Sequence, residues 1–236
     1  MRLYLFRLGE VRDNGVPITG CLVRCDDGTD VLVDTGAPAE MTGDPGAVFA
    51  VEPGEDVVSS LAALGMMPGD VDVVVCTHLD PDHCGHNDAF PASRIVVQHA
   101  NLAAARTSGE LRYEWQRAHW DASGLRYEPI DGDHELLPGI ELVASPGHAP
   151  GHQSVLVRLP ETGPVLVAGD AIAAADQTDP DTRFVGGFDD DEPAVRASTR
   201  RLMDLVCRER VAFIVHAHDA AQWNGGGLRQ TPAYYG

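Results

Sequence analysis

Short apolar runs alternate along the chain with turns rich in Gly, Pro and Asp. Such runs, four to eight residues long and bounded by breakers, are strand signals. They predict strands at Leu3–Leu8, Thr19–Cys25, Asp30–Asp34, Val71–Cys76, Arg94–Gln98, Ile140–Ala144, Gln153–Arg158, Val165–Ala168 and Val211–Val215. Asp26-Asp27-Gly28-Thr29, between two of these, is a hairpin turn signal. Helices are predicted at Glu55–Leu64, Asn101–Thr107 and Glu192–Arg208. The last has Asp191 at its N-cap, Pro193 in its first turn, and an apolar face of Val195, Leu202, Leu205 and Val206. Strands outnumber helices and both occur along the whole length. That order predicts sheets with helices packed outside them, in a single domain spanning residues 1–236.

Composition narrows the partners. With 44% hydrophobic and 22% charged residues, the chain has the make-up of an ordinary globular protein. No stretch approaches the roughly 18–20 apolar residues of a bilayer span. The apolar start is interrupted by Glu10 and Arg12, so it lacks the h-region of a secretion signal, and a cytoplasmic location is expected. The formal net charge is -19, and all 17 basic residues are arginine. Without lysine, Schiff-base, P-loop and serine–lysine chemistry are excluded. The acidity argues against nucleic acid and favours a small neutral substrate. The five cysteines form no CxxC pair and predict no disulfide framework. Cys76 and Cys207 are expected as small core residues, and Cys84 as an inert one.

The chemistry is concentrated after the buried run Val73-Val74-Val75-Cys76. His78-Leu79-Asp80-Pro81-Asp82-His83 offers two imidazoles and two carboxylates within six residues, stiffened by Pro81. Imidazole with carboxylate suits zinc, iron or manganese. Further ligands must come from elsewhere. His148 lies in a Gly/Pro-shaped turn, Asp170 follows Val165-Leu166-Val167-Ala168-Gly169, and His218 follows the last apolar run. His216, two residues before His218, is its rival as the final ligand. Asp34 is expected to brace the metal loop by hydrogen bonds, and His152 to act as a supporting residue. His86 is expected at the surface, as are His99, His119 and His134, unless these are structural.

These residues resemble the signature of the metallo-β-lactamase superfamily, His-x-His-x-Asp-His with separate His, Asp and His ligands. Leu32-Val33-Asp34-Thr35-Gly36 and Pro146-Gly147-His148 with Pro150-Gly151-His152-Gln153-Ser154 resemble its N-acyl-homoserine lactonase-like branch. The resemblance covers roughly residues 20 to 220. It implies an α/β fold, a four-layer αβ/βα sandwich with two divalent metal ions at one edge. Zinc comes first, with iron or manganese as alternatives. By that resemblance His78, Asp80 and His148 hold one metal, Asp82, His83 and His218 the other, and Asp170 bridges. Asp82 and Asp170 carry the catalytic roles. The implied activity is opening of a lactone or related ester, most like an acyl-homoserine lactone, by a metal-bound hydroxide.

Two positions depart from the family pattern. Asp80 stands where the signature has its second histidine, as in related flavodiiron proteins. This motivates an iron-dependent oxidoreductase as the alternative, beside a glyoxalase II-like thioesterase. Ala173 stands where many homoserine lactonases have a tyrosine against the lactone carbonyl. Polarisation then falls to the metal, or to a residue such as Tyr113 or Tyr127. Arg106–Arg126, with Tyr113, Trp115 and Trp120, is a candidate lid or substrate wall. The sequence names no substrate-binding residue and leaves a homodimer open.

Overall fold

A computed structural model describes all of residues 1–236. Seven strands form one sheet: β1 (Arg2–Val11), β2 (Val16–Arg24), β3 (Asp30–Val33), β4 (Phe49–Ala50), β5 (Val73–Val75), β6 (Arg94–Gln98) and β7 (Arg126–Ile130), in the order β4-β1-β2-β3-β5-β6-β7. The other five are β8 (His134–Leu137), β9 (Ile140–Ala144), β10 (Gln153–Leu159), β11 (Gly163–Gly169) and β12 (Phe213–His216), ordered β12-β11-β10-β9-β8. β1, β2 and β3 are antiparallel, whereas β3, β5, β6 and β7 run parallel. Parallel neighbours need a crossover. The segment from β3 to β5 contains α1 (Val57–Ala62); α2 (Pro81–Cys84) lies between β5 and β6; α3 (His99–Thr107), α4 (Leu111–Glu114) and α5 (Arg117–Trp120) lie between β6 and β7. α6 (Glu192–Glu209) links β11 to its parallel neighbour β12, and α7 (Ala220–Asn224) follows.

Alternation along the strands builds the layers. Val73 and Val75 belong, with Leu3, Leu5, Val31, Val33, Leu142, Val155 and Val167, to a buried cluster shared by both sheets. Val74 and Cys76 point the other way, into a cluster with Leu61, Leu102, Tyr113 and Trp120. On the far side, Leu156 and Leu166 pack with Leu202 and Leu205 of α6. These three interfaces separate four layers, helix–sheet–sheet–helix, as the sandwich expectation requires.

The nine predicted strands and three predicted helices are all present, with ends shifted by up to a few residues. The sequence reading missed β4, β7 and β8. β4 has two residues, and β7 and β8 carry only intermediate or exposed positions, so neither shows an apolar run. It also missed four short helices, each of four or five residues, too short to repeat a helical period. Asp191 caps α6 as predicted, its carboxylate accepting from the Ala194 amide. Two burial expectations need correction. Cys207 is exposed on α6 rather than in the core, because the apolar stripe of that helix is narrow. His86 is buried instead of surface-lying, where it follows the short α2. No helix is long and apolar enough to cross a membrane.

Candidate metal centre

The site is assembled at the ends of strands from both sheets. His78, Asp80, Asp82 and His83 lie in the loop and short helix after β5, His148 in the turn between β9 and β10, Asp170 directly after β11 and His218 just beyond β12. A strand end fixes where the chain departs, and a short loop then aims the side chain. Two glycines make the packing possible. Gly147, at φ 135°, lies against the α6 backbone so closely that a Cβ would come within 2.3 Å of the Val195 nitrogen. Gly169, at φ 57°, leaves the space through which the His152 Nε2 accepts the Asp170 amide at 3.0 Å.

Two groups of potential ligands emerge: His78, His148 and Asp170, and Asp82, His83 and His218. In the first, the His148 Nε2 is 3.4 Å from the Asp170 Oδ2 and 3.3 Å from the Asp80 Oδ2, which is 3.4 Å from the His78 Nε2. In the second, the Nε2 atoms of His83 and His218 are 3.4 Å apart. Asp170 faces this group too, Oδ1 at 3.3 Å from His83 and Oδ2 at 3.2 Å from His218. Asp82 Oδ2 stands 3.6 Å from His218 and 3.9 Å from His83. Atoms bonded at about 2.0–2.2 Å to a tetrahedral ion lie roughly 3.3–3.6 Å apart, so most of these spacings are those of ligand edges. The fit has a second sign: the His78 Nε2 and the Asp170 Oδ1 are fully buried without any hydrogen-bond partner. Buried polar atoms left bare are costly, and a bound cation is what would satisfy these two.

Every one of the four imidazoles is oriented from behind. The Asp34 carboxylate accepts from the Thr77 amide and hydroxyl and from the His83 Nδ1, each at 2.8 Å. Having given its proton to Asp34, the Thr77 hydroxyl accepts from the His78 Nδ1 at 3.0 Å. The Asp189 Oδ1 accepts from the His148 Nδ1 at 3.1 Å, and the Pro17 carbonyl from the His218 Nδ1 at 2.8 Å. With the proton held on Nδ1 throughout, each Nε2 faces the centre, that of His148 also lying 3.3 Å from the Arg112 Nη2.

Charge in the cluster is balanced by protons. Burial pushes the His148 imidazole down, but Asp170, Asp189 and Asp80 outweigh it and carry it up to about 10. Burial likewise opposes the charged forms of His83 and His218, yet the carboxylates around them, Asp170 first, raise both. Asp170 lies well below the usual carboxylate range, burial being overcome by His218, His83 and His148. His78 is lowered by burial and by His83 beside it. A site that draws protons this strongly is one in which divalent cations can replace them.

A model described as the metallo-beta-lactamase superfamily matches residues 15–218. The chain belongs to the metallo-β-lactamase superfamily. Within the superfamily it is similar to an N-acyl homoserine lactonase of a Bacillus species, 33% identical over 92% of this chain and 86% of that protein. The corresponding lactonase of Azorhizobium caulinodans is 30% identical and covers 100% of this chain and 98% of its own. Among solved structures, a quorum-quenching N-acyl homoserine lactone lactonase superposes with a TM-score of 0.86 at 27% identity, covering 99% and 98% of the two chains. Another, a hydrolase of N-acyl homoserine lactones with N-hexanoyl-L-homoserine at its catalytic metal centre, gives 0.85 at 27% identity, again covering 99% and 98%.

The structure brings together all seven residues singled out in the sequence, and it separates the rivals. His216 is turned away, its Nδ1 donating to the Ile172 carbonyl at 2.8 Å, so His218 is the histidine that reaches the cluster. His152 is buried and spent between Ser145 and the Asp170 amide. Asp80 differs from the other six in being claimed by an arginine. The Arg112 Nε donates to its Oδ1 at 2.8 Å and Nη2 to its Oδ2 at 2.5 Å. Arg112 and Asp189 are the residues that sequence reasoning missed. Neither lies near a motif, and only the fold carries them to the site. Tyr127 is unavailable for a substrate carbonyl, since its hydroxyl donates to the Trp120 carbonyl, and Tyr113 is fully buried. The stretch expected as a lid supplies core residues, Tyr113 and Trp120, as well as the half-exposed Trp115.

Proposed function

We propose that the protein is a two-metal lactonase that opens N-acyl-homoserine-lactone-like rings. The observation that carries this reading is the convergence of three imidazole Nε2 atoms, those of His83, His148 and His218, on the two oxygens of Asp170, with His78 in the same ligand group and the Nδ1 proton of all four already committed. We assign His78, Asp80 and His148 to one ion, Asp82, His83 and His218 to the other, with Asp170 facing both. Imidazole-rich ligation favours zinc, with iron or manganese as the alternatives. Two such cations would polarise an ester carbonyl and make water acidic enough to act as a nucleophile near neutral pH.

The chain's own residues supply the rest. Asp170 presents Oδ1 to His83 and Oδ2 to both His148 and His218, so its carboxylate lies between the two groups and sets their separation. Asp82, more open to the cleft than Asp170, accepts the proton of the attacking water and returns it to the leaving alkoxide, so that an N-acyl-homoserine results. Apolar side chains are left exposed beside this mouth: Leu111 at 84% next to Arg112, and Phe188 at 84%, whose carbonyl Arg112 approaches at 3.4 Å. They give an acyl chain a surface to lie against. A net charge of -19 suits a neutral lactone better than a phosphate ester. Five unpaired cysteines support a reducing, cytoplasmic setting.

Purified protein assayed on a panel of acyl-homoserine lactones, thioesters and β-lactams, alongside its metal content, tests this. Lactone opening with about two metals per chain is expected. Thioester turnover alone, or oxygen consumption with bound iron, would replace the lactonase reading with one of its rivals.

A further inference from the structure

Arg112 lies on α4, and yet its guanidinium is committed at the metal centre. It grips Asp80 side-on through Nε and Nη2, while Nη1 donates to the Asp190 Oδ1 at 2.9 Å and approaches the carbonyls of His148 and Phe188 at 3.4 Å. The Arg112 side chain is only 16% exposed and that of Asp80 12%, so this pair is not the solvated surface bridge whose strength is negligible. Its geometry is selective. Oδ1 is taken by Nε, and Oδ2, although it also accepts from Nη2, is the oxygen that lies 3.4 Å from the His78 Nε2 and 3.3 Å from the His148 Nε2. The arginine thus grips both oxygens, and Oδ2 alone also faces the imidazoles.

The charge count follows the same logic. Asp80, Asp82 and Asp170 bring three carboxylates to the centre, where an imidazole at position 80 would leave two. One guanidinium faces the extra one, its charge shared with Asp190 at the edge of the centre. We propose that Arg112 is a positioning residue that makes Asp80 serve as a one-oxygen, charge-compensated metal ligand in place of an imidazole. This rests on the two-metal reading above.

Metal binding tests it directly, without turnover. Chelator-stripped protein is titrated with Zn(II), and with Co(II) to follow the visible bands of each site, while circular dichroism checks folding. The wild type takes two equivalents. Arg112→Met keeps one and loses about 10–100-fold in affinity for the second, the usual effect of removing the partner of a ligand. Arg112→Lys, a point charge without the fork, falls between them. Adding Asp80→His to Arg112→Met restores the second equivalent, because the imidazole needs neither the charge nor the grip. Unchanged or tighter binding in Arg112→Met overturns the inference and makes the guanidinium a competitor of the metal. A folded double variant no better than Arg112→Met overturns it as well. A wild type taking only one equivalent overturns it too, while uptake of no metal removes the two-metal function along with it.

Discussion

The two halves of the metal centre share Asp170 and similar donors, but they lean on different parts of the molecule. His83 and His218 are held by Asp34, directly after β3, and by the Pro17 carbonyl within β2, both belonging to the seven-stranded sheet. On the other side, His78 shares the Asp34 brace through Thr77, but His148 is held by Asp189, in the segment before α6, and Asp80 by Arg112 on α4. One half is therefore braced wholly at the strands of the sheet, the other in large part by segments lying outside both sheets. Sheet interiors open rarely and loops more often. The second half, Asp82 with His83 and His218, is expected to hold its ion more firmly, and the Asp80 half to respond more to changes at a distance.

The largest effect removes the comparison altogether. Asp170→Ala deprives both halves of their common carboxylate, and turnover should drop to background with metal content below one per chain, measured by elemental analysis. Asp82→Ala, which spares the Asp80 half, should lower kcat by about 10²–10⁴-fold through its proton-transfer role. Retained turnover in either variant would contradict the mechanism.

Asp34→Ala tests the sheet-braced half. It strips a buried carboxylate from three donors, so a loss of about 3–5 kcal/mol in urea unfolding is expected, with roughly 10–100-fold weaker binding of the firmer ion. Asp189→Ala tests the loop-braced half. A similar loss of metal affinity is expected there, but a smaller loss of stability, about 1–3 kcal/mol, since Asp189 accepts from only two donors, the His148 Nδ1 and the Gly186 amide, in a loop. Equal destabilisation by the two would erase the distinction.

The smallest effect is a difference in pH dependence. His83 and His218 are both raised, whereas in the other half His148 is raised and His78 lowered. Metal must displace about two protons from the first pair and about one from the second. Affinity should therefore climb with pH in both halves, up to about 10 at His148 and more steeply at His83 and His218, which isothermal titration at several pH values can read. The metal-free fold moves oppositely. A raised imidazole stabilises fully below its ordinary value of 6.5 and loses that contribution as pH rises towards about 10. Thermal melts of stripped protein should accordingly soften across that window.

Much of this was legible in the chain before folding. The apolar runs located every strand that is buried on both faces except the two-residue β4, and the His/Asp loop after Val73–Val75 located the centre. β7 and β8 escaped because their residues are half-exposed and lack a run. His86 and Cys207 were misjudged because burial at a loop or helix flank depends on which neighbour covers it.

The sequence by itself determined six of the candidate ligands and the mixed order of buried strands and helices, since each depends on residue type and local order, while the sandwich and the departure at Asp80 were read from the family resemblance. Only the tertiary structure decided that His218 rather than His216 reaches the cluster, that Asp189 orients His148, and that Arg112, 32 residues from Asp80, takes hold of it. Those choices depend on where side chains from distant segments meet. That meeting is set by the packing of the four layers, which no local pattern encodes.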